Sequence, residues 1–346
     1  MIVDYVQKKN LNFKEIELIL KPSIESNHWT NNGQVKQELE QYLNKFLRLN
    51  TDKCTIAVSS ATAGLHLLMM YYEYIKGTHF KWVSPSFTFP SVAVNNPNNL
   101  TILDIDKETY TLPLNKDIYN FDGFIITNLF GTYVKNIDEW VTFCKEYDKI
   151  LIFDNAASPL SSKNDTNICN FGNASIISFH PTKYLGAQCE AGAIIVNKEE
   201  YDIINSFTNF GFNNSRKYNK FSSNFKLDDL RASCLISHLK NYDLEKHIYN
   251  QNNLIYEIEQ LKNVKVFNFR NEGEILGNLC LEFDKPIDNK EFMDLGLMCH
   301  KYYLPLDENH KNSMDLYNKM INMPLNSGLT EFQVEFIINQ IKHKCK

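Results

Sequence analysis

An α/β fold with a mainly parallel sheet is predicted for this chain by three observations. Short β-branched runs alternate with amphipathic or polar segments from residue 54 to 197; several of these runs are apolar on both alternating faces; and long helix-like stretches take over after residue 200. A strand that is apolar on both faces needs helices on both sides, which is the situation of a strand in a parallel sheet.

Seven strands are expected, in order CTIAV (54–58), FKWVS (80–84), LTILD (100–104), GFIITN (123–128), KILIFD (149–154), ASIISF (174–179) and GAIIVN (192–197). Crossover helices fit between them. The segment 62–76 carries apolar residues on more than one face, and 137–147 carries a cleaner amphipathic stripe. Beyond residue 200 the run 227–262 reads as one long helical stretch, followed by short strands and a terminal helix near 331–343. Leu329, Thr330 and Glu331 open that last helix, with Thr330 as its cap and acidic residues in a first turn that suits the helix dipole. A smaller unit is expected to begin near residue 241, leaving 1–240 as a large unit that includes the N-terminal segment and 241–346 as a small C-terminal one. No internal repeat or low-complexity linker interrupts the pattern.

Composition narrows the function classes. With 36 basic and 41 acidic residues the formal charge is -5, and no basic run is dense enough to follow a phosphate backbone, so nucleic acid is not an expected partner. No apolar stretch reaches the roughly 18 residues of a membrane span, and the N-terminus lacks a signal-peptide pattern, which makes the expectation cytoplasmic. The eight cysteines include no CxxC pair and read as buried or free thiols in a chain too large to need disulfides. HExxH, Walker and GxGxxG patterns are absent, and no metal site is expected.

Functional residues in a parallel sheet gather where strands end and helices begin, because backbone groups there are free to meet a ligand. Four segments fall at such points. SSATAGLHL (59–67) either closes its amides on a phosphate or is a simple turn capped by Thr62. Asp154 ends an apolar strand and is either a cap or loop acceptor, or the partner of a positive ring nitrogen, whose proton an adjacent carboxylate would retain. Lys183, in SFHPTKYLG (178–186), is either surface decoration or a buried functional amine between two strands. Phe87 and Phe89, in SPSFTFPS (84–91), either pack in the core or offer one ring to a flat ligand.

Taken together and in this order, these segments resemble the DegT/DnrJ/EryC1/StrS group of pyridoxal-phosphate (PLP) sugar aminotransferases. The resemblance runs from HWTNNGQVKQELEQYL (28–43) through ILDIDKETYTL (102–112) and NFKLDDLRASCLISHLK (224–240) to MPLNSGLTEFQVEFIINQIK (323–342), and is most specific in SFHPTK with the downstream EAGAIIVN. It implies PLP fold type I, aspartate aminotransferase-like, with a seven-stranded sheet between helices and a smaller C-terminal α/β domain. Lys183 matches the lysine that carries the cofactor as a Schiff base, and Asp154 the acid beside the pyridine nitrogen. Phe89 matches the aromatic on the ring; Thr62, Ala63 and Ser178 match the phosphate cradle. Asn224 matches a residue that reaches the phosphate of the neighbouring subunit, so the implied unit is a homodimer with shared active sites. Substrate contacts are implied for Trp29, Thr30 and Asn31, and for Phe87, His180, Tyr302 and Tyr303.

The sequence departs from the commonest pattern of the group at three places that bear on ring contacts and substrate preference. DAAH or DAAQ is here Asp154, Asn155, Ala156, Ala157; EGGA is Glu190, Ala191, Gly192, Ala193; and a histidine before LFG is Asn128. The implied reaction takes an amino group from L-glutamate, with pyridoxamine phosphate as the intermediate cofactor form, to a nucleotide-linked keto sugar. The segments HWTNNG and CHKYYLPL (299–306) are most similar to those of enzymes acting on 4-keto-6-deoxyglucose linked to dTDP or UDP. The expected product is an NDP-4-amino-4,6-dideoxyglucose, the viosamine type; amination at C3 of a 3-keto isomer is the rival. Sugar dehydratases of the same fold have histidine in place of the lysine, and Lys183 argues against that class. It argues equally against a ligand-binding homologue without catalysis.

Overall fold

The computed structural model describes residues 1–77, 80–94, 99–212 and 217–345. Its strands are β1 (Lys53–Val58), β2 (Trp82–Pro85), β3 (Leu100–Leu103), β4 (Gly123–Thr127), β5 (Ile150–Asp154), the two-residue partners β6 (Ser162–Lys163) and β7 (Thr166–Asn167), β8 (Ala174–Ser178), β9 (Gly192–Asn197), β10 (Val264–Val266), β11 (Leu279–Phe283) and β12 (Met320–Met323). All seven strands expected between 54 and 197 are present, and they make one sheet in the order β1-β9-β8-β5-β4-β2-β3. Within it β8, β5, β4, β2 and β3 pair in parallel, while β9 runs antiparallel to both β8 and β1. The fold is therefore the mixed α/β architecture with a mainly parallel sheet that the alternation predicts.

Residues on both faces of β1, β4 and β8 are buried throughout, which is why these runs show no polar alternation. Helices cover the two faces. On one, α3 (Ala61–Lys76) lays Leu65, Leu68 and Met69 over Ile56, Ile176 and Ile194. Gly64 permits that approach, since a Cβ there would sit 2.6 Å from the Ile194 side chain. On the other, α1 (Phe13–Ser26), α2 (Gln34–Phe46) and α6 (Asp229–Lys240) pack together over Ala57, Ile177 and Ile195. The helix α4 (Ile137–Glu146) buries Ile137, Trp140, Phe143 and Cys144, a spacing that keeps one stripe on the sheet.

Two details differ from the sequence expectation. The cap of α3 is Ser60, whose Oγ accepts the Ala63 N–H at 3.1 Å, not Thr62; Ser60 has the extended backbone that a capping residue requires, and Thr62 is already inside the helix. The long stretch 227–262 is two helices, because α6 ends at Lys240 and Asp243 caps a new one, α7 (Leu244–Ile258), by accepting the Lys246 N–H at 2.8 Å.

The short helices α5 (Tyr201–Phe207), α8 (Lys290–Met293) and α9 (Lys311–Lys319) join the larger elements, and a second sheet, antiparallel in the order β10-β11-β12, packs on α7 and on α10 (Glu331–Lys344) through Leu254, Leu281, Ile321 and Ile337. Thr330 caps α10 as expected, in a capping box with Gln333. Val3 joins this second core and bridges in parallel to Leu297. All eight cysteines are free thiols. Among the described residues no helix is long and apolar enough to cross a membrane, and no cluster of three or more histidine, cysteine, aspartate or glutamate side chains is arranged to hold a metal.

Candidate active site

The parallel strands end in a cavity of about 720 Å³. Its wall takes Ser59 to Thr62 after β1, Thr127 and Asn128 after β4, Asp154 at the end of β5, and Ser178 at the end of β8. Tyr302 and Tyr303 close it from the C-terminal part of the chain, and Tyr5 from the N-terminus.

Asp154 is buried, and its Oδ1 accepts the Ala156 N–H at 3.0 Å. Burial raises the pKa of its carboxyl above the ordinary aspartate value, against the Ala156 N–H and the charge of Lys183, which both lower it. Lys183 stands in a tight turn: its N–H donates to the His180 carbonyl at 2.8 Å, and its own carbonyl accepts the Gly186 N–H at 2.9 Å. Only glycine fits at 186, where a Cβ would lie 1.9 Å from the His180 oxygen. The Lys183 side chain keeps partial exposure because it borders the cavity, yet the protein around it holds its amine below the ordinary lysine value, opposed by the charge of Asp154. Each group thus resists its charge more than it would in water.

Ser60, Thr62 and Ser178 also border the cavity with their hydroxyls, beside the first turn of α3, where free N–H groups favour an anion. Gly192 lets β9 approach that turn, since a Cβ there would meet the Ala61 nitrogen at 2.4 Å. The ring of Phe89 stands half-exposed on the cavity wall, with Tyr303 edge-on at 5.7 Å. Burial first, and then the charge of Asp154, raises the pKa of the Tyr303 hydroxyl. At the rim His180 contacts the Thr182 hydroxyl at 2.8 Å through Nδ1 and the Glu190 carboxylate at 3.2 Å through Nε2.

Of the residues singled out from sequence, Lys183, Asp154, Thr62, Phe89, Ser178, His180, Tyr302 and Tyr303 border this one cavity. Ala63 is buried behind it, its N–H engaged by Ser60. Phe87 is fully buried in an aromatic core with Phe130 and Phe267, behind Tyr303 and away from the cavity surface. Asn224 is exposed and bridges to Asn209, and Trp29, Thr30 and Asn31 lie at the surface; none of these four borders the cavity of its own chain.

Sequence reading overlooked Tyr5, whose ring meets His300 edge-on at 4.5 Å, because nothing near residue 5 in the sequence signals a site. It also overlooked Asn278. Two of the departures from the commonest pattern meet each other: Asn128 Nδ2 donates to Asn155 Oδ1 at 2.6 Å, and Asn155 Nδ2 donates to Ser175 Oγ at 2.5 Å. Both asparagines are fully buried, so each satisfies polar atoms that the other would otherwise leave alone, one of them at the cavity wall.

A buried carboxyl, a desolvated lysine, an exposed aromatic ring and a hydroxyl-lined helix start match the four parts of PLP: ring nitrogen, aldehyde, ring face and phosphate. The donor set therefore fits that cofactor. Comparison with known proteins agrees. The DegT/DnrJ/EryC1/StrS aminotransferase family matches residues 12–274. The dTDP-4-amino-4,6-dideoxy-D-glucose transaminase of Shigella dysenteriae is 22% identical over 221 residues, which are 57% of this chain and 60% of that protein. The chain thus spans about three fifths of the length of that curated relative. In three dimensions it is similar to a DegT DnrJ EryC1 StrS aminotransferase from Brucella abortus, with TM-score 0.81, 18% identity and 96% of both chains covered. It is likewise similar to the PLP form of Spr1654 from Streptococcus pneumoniae, with TM-score 0.84, 16% identity, and 99% and 98% of the two chains covered.

Proposed function

The chain belongs to the DegT/DnrJ/EryC1/StrS aminotransferase family, whose members use PLP, and from that premise we propose that it transfers an amino group from L-glutamate to C4 of a nucleotide-linked 4-keto-6-deoxyglucose. The nucleotide is dTDP or UDP, and the product is an NDP-4-amino-4,6-dideoxyglucose of the viosamine type. The observation that carries the reading is the meeting of Lys183 and Asp154 across one cavity. Similarity to the Shigella transaminase over 57% of the chain supports the choice of C4.

When bound, PLP supplies an electron sink that lets an amino group leave one carbon and enter another. The residues of this chain hold it and move the protons. Ser60, Thr62 and Ser178, with the first turn of α3, take the phosphate. Asp154 would keep the proton on the ring nitrogen, since a cation beside this buried carboxylate favours its charged form. Phe89 covers one face of the ring. Lys183 would hold the cofactor through its amine, and the same amine, when free, would serve as base and acid for the proton that moves between the two carbons. Burial lowers the pKa of its amine, which favours the neutral form that this role uses. Tyr5, Tyr302 and Tyr303 form the wall on which the sugar lies, while His180, braced by Thr182 and Glu190, faces the rim. Asn224 reaches the cofactor phosphate of a second copy of the chain, which accounts for its place outside its own cavity. In this reading the division between the large and small units falls between α6 and α7.

The direct test incubates the protein with PLP, L-glutamate and dTDP- or UDP-4-keto-6-deoxyglucose and identifies the product by mass and NMR. An amine at C4 is expected; an amine at C3 of a 3-keto substrate, with the 4-keto sugar untouched, would overturn the regiochemistry.

A further inference from the structure

The N-terminal residues form a strap that borders the cavity at Tyr5 and reaches the 181–186 turn at Lys9 before the first helix begins. Val3 is hydrogen bonded on both sides, its N–H to the Gly296 carbonyl at 2.9 Å and its carbonyl to the Met298 N–H at 3.0 Å. Tyr5 then borders the cavity against His300 and Tyr302. Farther along, the Lys9 ammonium donates to the carbonyls of Pro181 and Lys183, each at 2.7 Å, and to that of Gly186. At Asn12 the strap ends as the cap of α1.

The three carbonyls that meet at Lys9 all belong to the turn that carries Lys183. An ammonium has three protons and no acceptor, so three converging carbonyls saturate it, and hydrogen bonds from a charged donor are the stronger kind. With no donor at that point the three oxygens would face one another across a partly buried gap, and the turn would open. We propose that Lys9 is a positioning residue for Lys183: its ammonium gathers the carbonyls of the 181–186 turn and so fixes where the Lys183 amine enters the cavity. The inference rests on the reading of Lys183 as the lysine that attaches the cofactor. Electrostatics supports it from the far side. Burial lowers the Lys9 amine to about 8, so near pH 7 most of it still carries the third proton that the third carbonyl uses. His238, which lines one surface hollow together with Lys9, is lowered to about 4, by burial first and then by the charge of Lys9.

The test mixes cofactor-free protein with PLP, reduces with borohydride after set times, and locates the pyridoxyl label by peptide mass spectrometry. Wild type is expected to label at Lys183. Lys9→Met, which keeps the stem and removes the donors, is expected to label there at least about tenfold more slowly, since a displacement near 1 Å is enough to slow a positioned reaction that much. Lys9→Arg, which keeps the charge, is expected to recover much of the rate. The pH midpoint of the bound cofactor's visible absorption, which follows the lysine's geometry and not the protein's stability, should move in Lys9→Met and return toward wild type in Lys9→Arg. Should Lys9→Met fail to fold, Lys9→Gln, whose amide serves only two carbonyls, takes its place. Wild-type labelling at Lys183 with an unchanged rate and midpoint in Lys9→Met would overturn the inference alone. Absence of label at Lys183 in the wild type would overturn the reading of Lys183 and the inference with it.

Discussion

Burial acts on Asp154 and Lys183 in the same sense, disfavouring the charge on each, and this makes the pair ready for a cofactor and strained without one. For Asp154 the consequence is measurable. Its pKa in the folded chain lies above that in the unfolded chain, so as pH rises the unfolded chain gives up the proton first, and the folded state loses stability relative to it. Cofactor-free Asp154→Asn should therefore be more stable than wild type at neutral pH, and the gap should close as pH falls below the ordinary aspartate range. Melting temperatures of the two proteins against pH decide this. The same variant should lose about two orders of magnitude or more of transaminase rate, the scale of an essential proton-holding group, while some PLP stays bound. Lys183→Ala should stop multiple turnovers outright, and a variant that still turns over at the wild-type rate without added amine would sink its role. That Asp154, Lys183 and Phe89 would border one cavity was suggested by their places at strand ends and turns taken together with the family resemblance, since the local pattern alone left a cap, a surface lysine and a core ring equally open. Phe87 was not distinguishable from Phe89 on that basis. Only the tertiary aromatic cluster with Phe130 and Phe267 places it in the core.

At the level of elements, all seven strands of the large sheet could be read, since six of them are short apolar runs that the fold buries on most of their length, and β3, at the edge of the sheet, keeps the same pattern while only half-buried. Helix ends were harder, because more than one capping residue was on offer. Ser60 and Thr62 are two residues apart, and the backbone at Ser60, with φ near -164°, selects it. Asp243 lay unnoticed inside what read as a continuous helix until the structure showed it capping α7. Helix α1 was not singled out at all; it contains Pro22, a residue that argues against a helix interior, and it is held in place by packing on α2 and α6. The glycine of EAGA has a stricter purpose than loop flexibility. A methyl group at 192 would run into the main chain of Ser60 and Ala61, neither of which can turn away as a side chain could. Gly192→Ala should thus push β9 from the start of α3, cost about 1–3 kcal/mol as an overpacked contact, and weaken PLP binding by spoiling the phosphate cradle. Fluorescence titration with PLP, set beside a denaturant melt, checks both; unchanged affinity in a folded variant would separate that turn from the phosphate.

On the scale of the whole molecule the least legible feature was long-range return. Val3, Tyr5 and Lys9 lie at the start of the chain yet join the C-terminal core, the cavity and the lysine turn, and no periodicity in ten residues could foretell where they go. Asn224 raises the complementary question, for it is exposed and lies outside the cavity of its own chain. If it serves the phosphate of a second copy, each active site of a dimer takes its lysine from one subunit and its asparagine from the other. Lys183→Ala and Asn224→Ala would each be inactive as homodimers, but in a mixed dimer one site carries both lesions and the other carries neither. Random exchange makes half of the dimers mixed, with half of their sites intact, so recovered activity should approach about a quarter of wild type, given the equivalence of subunits in a two-fold dimer. The experiment needs Asn224→Ala to be severely impaired alone, and its rate is measured first, because loss of one hydrogen bond to a charged group is worth only about 1.5–3 kcal/mol. Native mass spectrometry on the mixture then establishes that subunits have exchanged. If mixed dimers form and activity stays at the level of the parents, Asn224 acts on its own chain's site or on none, and the shared-site arrangement is wrong.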